Sequence, residues 1–126
     1  MSRWTTLDRI LSVEPGKSAT AIRNVPNTLA IFDSHFPRFQ VLPGVLILGS
    51  LGALAARLLE EETKRPWRLA GAGQVGFRHF VQPGDQLELT VTLKARSDDE
   101  AELTGEVKVD GKVVTRARRL TLVPAP

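Results

Sequence analysis

Two histidines stand in this chain, and one of them occupies a position where an imidazole can do chemistry. His35 opens the stretch HFPRFQVLPGVLILGSLGAL, which runs through Pro43-Gly44 into a long apolar segment. Pro43 biases the residue before it away from helix, so a helix is expected to begin at about Gly44. An imidazole titrates near neutrality, and one aimed at a helix start resembles half of an acid/base pair. The other half would be a carboxylate. Asp33 lies two residues before His35, where it either orients the ring or closes an Asx turn. The plainer reading of His35 itself is a hydrogen-bonded loop histidine. His79 is the second imidazole, set among Arg78, Phe80 and Val81.

The elements that must position these groups follow from patterning. ILSVEPGKSATAIRNV reads as a hairpin around Pro15-Gly16-Lys17. From Gly44, the residues Val45, Leu46, Leu48, Leu51, Leu54, Ala55, Leu58 and Leu59 cover most of a helical surface, and Pro66 stops the helix. About 20 residues at 1.5 Å each give a rod of roughly 30 Å, expected to be enclosed along its first three turns. QVGFRHFV reads as a strand leading to the turn Pro83-Gly84-Asp85. In QLELTVTLKA, Leu87, Leu89, Val91 and Leu93 share one face. AELTGEVKV and KVVTRARRLTLV flank Asp110-Gly111, a type I′ hairpin signal. An unbroken ladder from that turn sets Val107 opposite Val114 and Glu102 opposite Arg119. It also turns Arg116 and Arg118 to the apolar face, so either a bulge or an edge position intervenes there or those guanidiniums reach a surface.

The order is hairpin, one apolar helix, then an antiparallel run, and the class is α+β. A curved antiparallel sheet of five or six strands around one central helix satisfies it, because the apolar face of the sheet and the helix need each other. One domain spans residues 1–126. So few strands cannot enclose a 30 Å helix, which leaves surface for a second subunit and predicts a dimer with adjoining sheets.

Composition narrows the function. The chain has no cysteine, which removes disulfides and thiolate metal sites. Its net charge of +3 comes from 17 basic and 14 acidic residues. The arginines are spread among glutamates, with no basic run interleaved with aromatics, so nucleic acid is not an expected partner. Val41 to Ala56 is too short and too broken by Pro43 and glycines to span a bilayer, and MSRWTTLDRI lacks an apolar signal core. A cytoplasmic location is expected.

Three ordered blocks carry a family resemblance. LDRILSVEPGKSATAIRNV resembles the opening hairpin of the 3-hydroxyacyl-acyl carrier protein dehydratases, typically VDRVLELEPGKSIVAIKNV. SHFPRFQVLPGVLIL is similar to their central GHFPxxPVMPGVLIxE, and FRHFVQPGDQLEL to their FRRPVxPGDQL. The resemblance implies a hot-dog fold and an acyl tunnel at a dimer interface. It implies removal of water from a 3-hydroxyacyl thioester, carried by acyl carrier protein or coenzyme A, in fatty acid or polyketide-like synthesis, with no metal or organic cofactor. By position, His35 corresponds to the base, and Gly44 to the residue whose N–H binds the thioester carbonyl. Phe36, Val45, Gly49 and Ser50 fall around the bound acyl group. Arg38, Arg78 and the Arg116, Arg118, Arg119 cluster are candidates for meeting an acidic carrier at the tunnel mouth, against a solvated surface.

The chain departs from the family where the acid should stand. That carboxylate follows the histidine by fourteen residues, and position 49 is glycine. The glutamine that often supports the acid is Ala53 here, Ser34 replaces the glycine before the histidine, and RFQ replaces a segment that usually contains proline. Three alternatives follow: a dehydratase working without its helix acid, a subunit that pairs with an acid-bearing paralogue, and an acyl-binding protein without chemistry.

Overall fold

The computed structural model describes residues 7–25 and 44–126. His35 and Phe36 lie outside the described residues, as do Asp33, Ser34 and Arg38. The elements are β1 (Arg9–Glu14), β2 (Ser18–Asn24), α1 (Gly44–Thr63), β3 (Trp67–Phe77), β4 (Gln86–Arg96), β5 (Ala101–Val109) and β6 (Lys112–Pro124). The six strands form one antiparallel sheet in the order β1-β2-β4-β5-β6-β3. All six touch α1. Six strands spaced about 4.8 Å apart are wider than a helix of about 10 Å. The sheet can reach α1 from every strand only by curving around it.

Alternation decides which residues meet the helix. Leu87, Leu89 and Val91 of β4, and Ala101, Leu103 and Val107 of β5, are buried against Leu51, Leu54, Leu58 and Leu59 of α1. These side chains form the core, with Val114, Ala117, Leu120 and Leu122 of β6. The helix ends at Lys64, which takes a left-handed φ of 62° and donates its N–H to the Glu60 carbonyl, and Pro66 follows.

One chain alone does not enclose the first three turns of the helix, as expected if a second subunit covers part of it. Val45 is 72% exposed, and Leu46, Leu48, Gly49 and Ala53 are only partly covered. Within one chain the sheet buries one side of α1 and leaves the opposite stripe open.

Two expectations are corrected. β3 begins at Trp67, seven residues before the expected strand, and ends at Phe77. Its segment RLAGAG has small residues where alternation would show, and among the described residues it is an edge strand paired with β6 alone. The β5–β6 register also differs. Asp110 and Gly111 adopt φ of 51° and 80°, as a type I′ turn requires, and Val109 pairs with Lys112. Val107 then pairs with Thr115, not Val114, and Glu102 with Thr121, not Arg119. A bulge follows each of two β5 stretches, and each adds one residue to β6. At the first, the neighbours Val114 and Thr115 are both buried; at the second, Arg118 and Arg119 are both exposed. An unbroken alternation would drive guanidiniums into the core, and the bulges turn them out to solvent.

Candidate active site

The sheet does not close. Its two edge strands, β1 and β3, leave a groove of about 980 Å³ along the uncovered side of α1. Leu7 to Ile10 form one wall, and Pro66 to Leu69 the other. The floor is the helix itself, at Gly49, Gly52, Ala53 and Ala56, with Arg57 and Glu60 further along. The two positions that lack the family's acid and its glutamine therefore lie together in this groove. A second hollow of about 710 Å³ lies on the other face of the sheet, among Thr90, Thr92, Lys94, Thr104 and the β6 arginines. It is polar and has no helix residue in its lining.

Gly44 begins α1, so its N–H belongs to the first turn, whose amides have no partner within the helix. No acidic side chain stands in that turn. Among the described residues no carboxylate meets the positive end of the helix dipole. The Phe77 ring, at the end of β3, lies over this point. A Cβ on residue 44 would fall 2.7 Å from the ring's Cζ, and glycine is what lets the ring sit there. Val45, next along, is exposed, as are Phe77 and Phe80.

Ser50 follows Gly49 but turns to the sheet. It is fully buried, and its Oγ accepts a 2.5 Å hydrogen bond from Arg23 Nη1. Arg23 is itself 4% exposed. Burial pushes its guanidinium below the usual value, and the charge of Asp8 partly offsets that. The Asp8 carboxylate accepts the Asn24 N–H at 2.5 Å and lines the groove. His79 and Arg78 are exposed, and the Arg78 N–H extends the β3–β6 ladder to Val114.

Sequence reasoning singled out Gly44, Val45, Gly49 and Ser50, and the structure brings Gly49 into the groove and Ser50 away from it onto Arg23. It overlooked Arg23 and Asp8. The signal for Arg23 was available, since a period of two in SATAIRNV puts it on the same face as Ala19, Ala21 and Val25. Among the described residues no group of His, Asp or Glu has a metal-holding arrangement, and no helix is long and apolar enough to cross a membrane.

An open antiparallel sheet wrapped around one long helix is the hot-dog fold. The solved structure of the dehydratase heterocomplex ApeI:P from Xenorhabdus doucetiae superposes with a TM-score of 0.78 at 15% identity, covering 100% of this chain and 87% of that one. A family model described as ApeI dehydratase matches residues 12–116. The 3-hydroxyacyl-[acyl-carrier-protein] dehydratase FabZ of Bacillus velezensis is 40% identical over 114 residues, spanning 88% of this chain and 81% of the relative. FabZ of Lactobacillus helveticus is 35% identical over 123 residues, 95% and 83% of the two chains. The chain belongs to the ApeI/FabZ-like 3-hydroxyacyl-acyl carrier protein dehydratase family.

Proposed function

We propose that the protein dehydrates a 3-hydroxyacyl thioester to the trans-2-enoyl product, with His35 as base and the Gly44 N–H on the thioester carbonyl. The neutral imidazole removes a proton from C2. Negative charge develops on the carbonyl oxygen, where a free helix-terminal amide stabilises it without reorganising. The C2–C3 double bond forms as the C3–O bond breaks, and the hydroxyl leaves as water with a proton supplied by solvent water or by an acid outside this chain, the imidazolium then giving its own proton back to solvent. The observation that carries this reading is the join of two features: α1 begins at Gly44 in an acid-free turn, and an open groove runs along the same helix from Gly49. The substrate class comes from the relatives, which are named for 3-hydroxyacyl-[acyl-carrier-protein]. Coenzyme A thioesters share the reacting group.

The groove, open between two edge strands, is to be closed by a second subunit whose sheet adjoins this one, as a homodimer or as a heterodimer. The heterodimer has an observation in its favour. Two carboxylates line the described groove, Asp8 and Glu60. The Asp8 carboxylate is already engaged, accepting the Asn24 N–H at the end of β2. Glu60 stands eleven residues beyond Gly49, about 16 Å along the axis. An acid from a paralogous partner would complete the site that Gly49 leaves without one.

The test is turnover of 3-hydroxyacyl and trans-2-enoyl thioesters, on carrier protein and on coenzyme A. The wild type, His35→Ala and Gly49→Glu are compared, each alone and with a hot-dog paralogue bearing the helix acid. Activity of the wild type alone, lost in His35→Ala, establishes the homomeric enzyme. Activity only with the paralogue establishes the shared site. Binding of an acyl-carrier thioester with no turnover in any combination overturns the enzyme reading in favour of an acyl-binding protein.

A further inference from the structure

β2 turns Ala19, Ala21 and Arg23 toward the helix. The two alanines leave room above the sheet, and the third inward position holds a guanidinium. A leucine would fill similar volume without desolvating a charge. The guanidinium titrates so far above neutrality that it stays protonated even when burial lowers its pKa. A buried charge is weak evidence for stability, and its best-attested use is to fix one arrangement among several.

The arrangement here is the seat of α1. Arg23 stands on the strand just before the segment 26–43, and Ser50 on the helix just after it. Their 2.5 Å bond spans 27 positions of sequence and ties together the two anchors of the segment that carries His35. Ser50 lies six residues into α1, about 9 Å along the axis from Gly44. One residue of rotation is about 100°, enough to carry Gly49 out of the groove and to swing the first-turn amides away from it. Apolar packing of leucines tolerates sliding of that kind far better than a forked hydrogen-bond donor does.

We infer that Arg23 is a positioning residue: through Ser50 it sets the rotation of α1, and with it the aim of the Gly44 amide. The kinetic consequence rests on the dehydratase reading; the structural one does not. The experiment uses the full chain in whichever assembly turns over. It compares Arg23→Met, Arg23→Lys, Ser50→Ala and the Arg23→Met/Ser50→Ala double variant with Leu103→Ala, a core change on β5, two strands away from Arg23 and outside the groove lining. Arg23→Met and Ser50→Ala are expected to lower kcat at least tenfold with KM changed less than twofold. The double variant should be no worse than the worse single one, and Arg23→Lys should recover part of the loss. Leu103→Ala should lower the melting temperature while keeping kcat within twofold. The second readout needs no turnover: the Gly44 backbone amide resonance should shift in Arg23→Met and Ser50→Ala and stay in place in Leu103→Ala. An unmoved Gly44 amide, or a kcat loss that tracks melting temperature equally in all variants, overturns the inference. If the wild type is inactive in every assembly, the dehydratase reading fails and the amide shift alone decides. Should Arg23→Met not fold, Ser50→Ala, which removes one hydroxyl, supplies both readouts.

Discussion

Glu106 and Arg116 face one another across β5 and β6, Oε2 to Nη2 at 2.8 Å, where an unbroken ladder from the Asp110-Gly111 turn would set Glu106 against Thr115. The extra residue in β6 makes this pair and moves Thr115 to the inside. The pair is partly exposed on both sides, so Arg116→Ala should cost less than about 1 kcal/mol in thermal unfolding. Thr115 Oγ1 is buried with no hydrogen-bond partner. Thr115→Val keeps the shape and removes the orphaned hydroxyl, and it should raise stability by about 1 kcal/mol. Chemical denaturation of the two variants would check both signs.

Gly44 and Phe77 form a close contact that a side chain at position 44 would have to push aside. Gly44→Ala places a methyl 2.7 Å from the ring and must displace it. Because the half-exposed ring can give way, the expected loss is under about 1 kcal/mol of stability, with turnover reduced further than stability predicts if the first-turn amides move with it. Phe77→Leu in the same chain should restore most of the stability. Melting curves and kcat for the single and double variants separate the two effects.

Gln74 holds a left-handed φ of 53° within β3, in the interval between the pairs Gly73–Arg119 and Val75–Ala117. That conformation costs a residue with a Cβ about 1–2 kcal/mol, so Gln74→Gly should stabilise, by about 0.5–1 kcal/mol after the greater chain entropy of glycine is counted. A rise in the midpoint of urea unfolding at unchanged slope would show it.

The pH profile tests the proposed base. With an imidazole that must be neutral to accept a proton, kcat/KM should rise as pH climbs through about 6.5 and then level off, since Gly49 brings no acid to titrate. Gly49→Glu should add a falling limb on the alkaline side. Rates across pH 5–9 for the two proteins distinguish a plateau from a bell.

The hairpin β1–β2, the span of α1 and the face of β4 were legible because each carries its own period and its own stop, Pro66 being the plainest. The start of β3 was not, since Ala70 to Gly73 are small on both faces and leave no alternation to read. The β6 bulges were legible only as a conflict: Arg116 and Arg118 fell on the wrong face, but the sequence cannot say where the ladder takes up the slack. For the site, Gly49 and Ala53 were visible as gaps in a known pattern. Arg23 was passed over although its parity pointed inward, because a charged residue at an inward position contradicts the rule by which such positions are found.

The first bulge also gives the hairpin tip a freedom that the rest of the sheet lacks. β3 pairs with β6 only as far as Thr115, with the Arg78 N–H on Val114 as the last link, so the tip around Asp110 stands clear of that neighbour. Deleting one of the doubled residues there would leave a regular ladder with every later pair unchanged. Homologues that differ in length along this strand should therefore have gained or lost their residue at that spot, and a short graft such as an epitope or a fluorophore handle is best placed on the same loop.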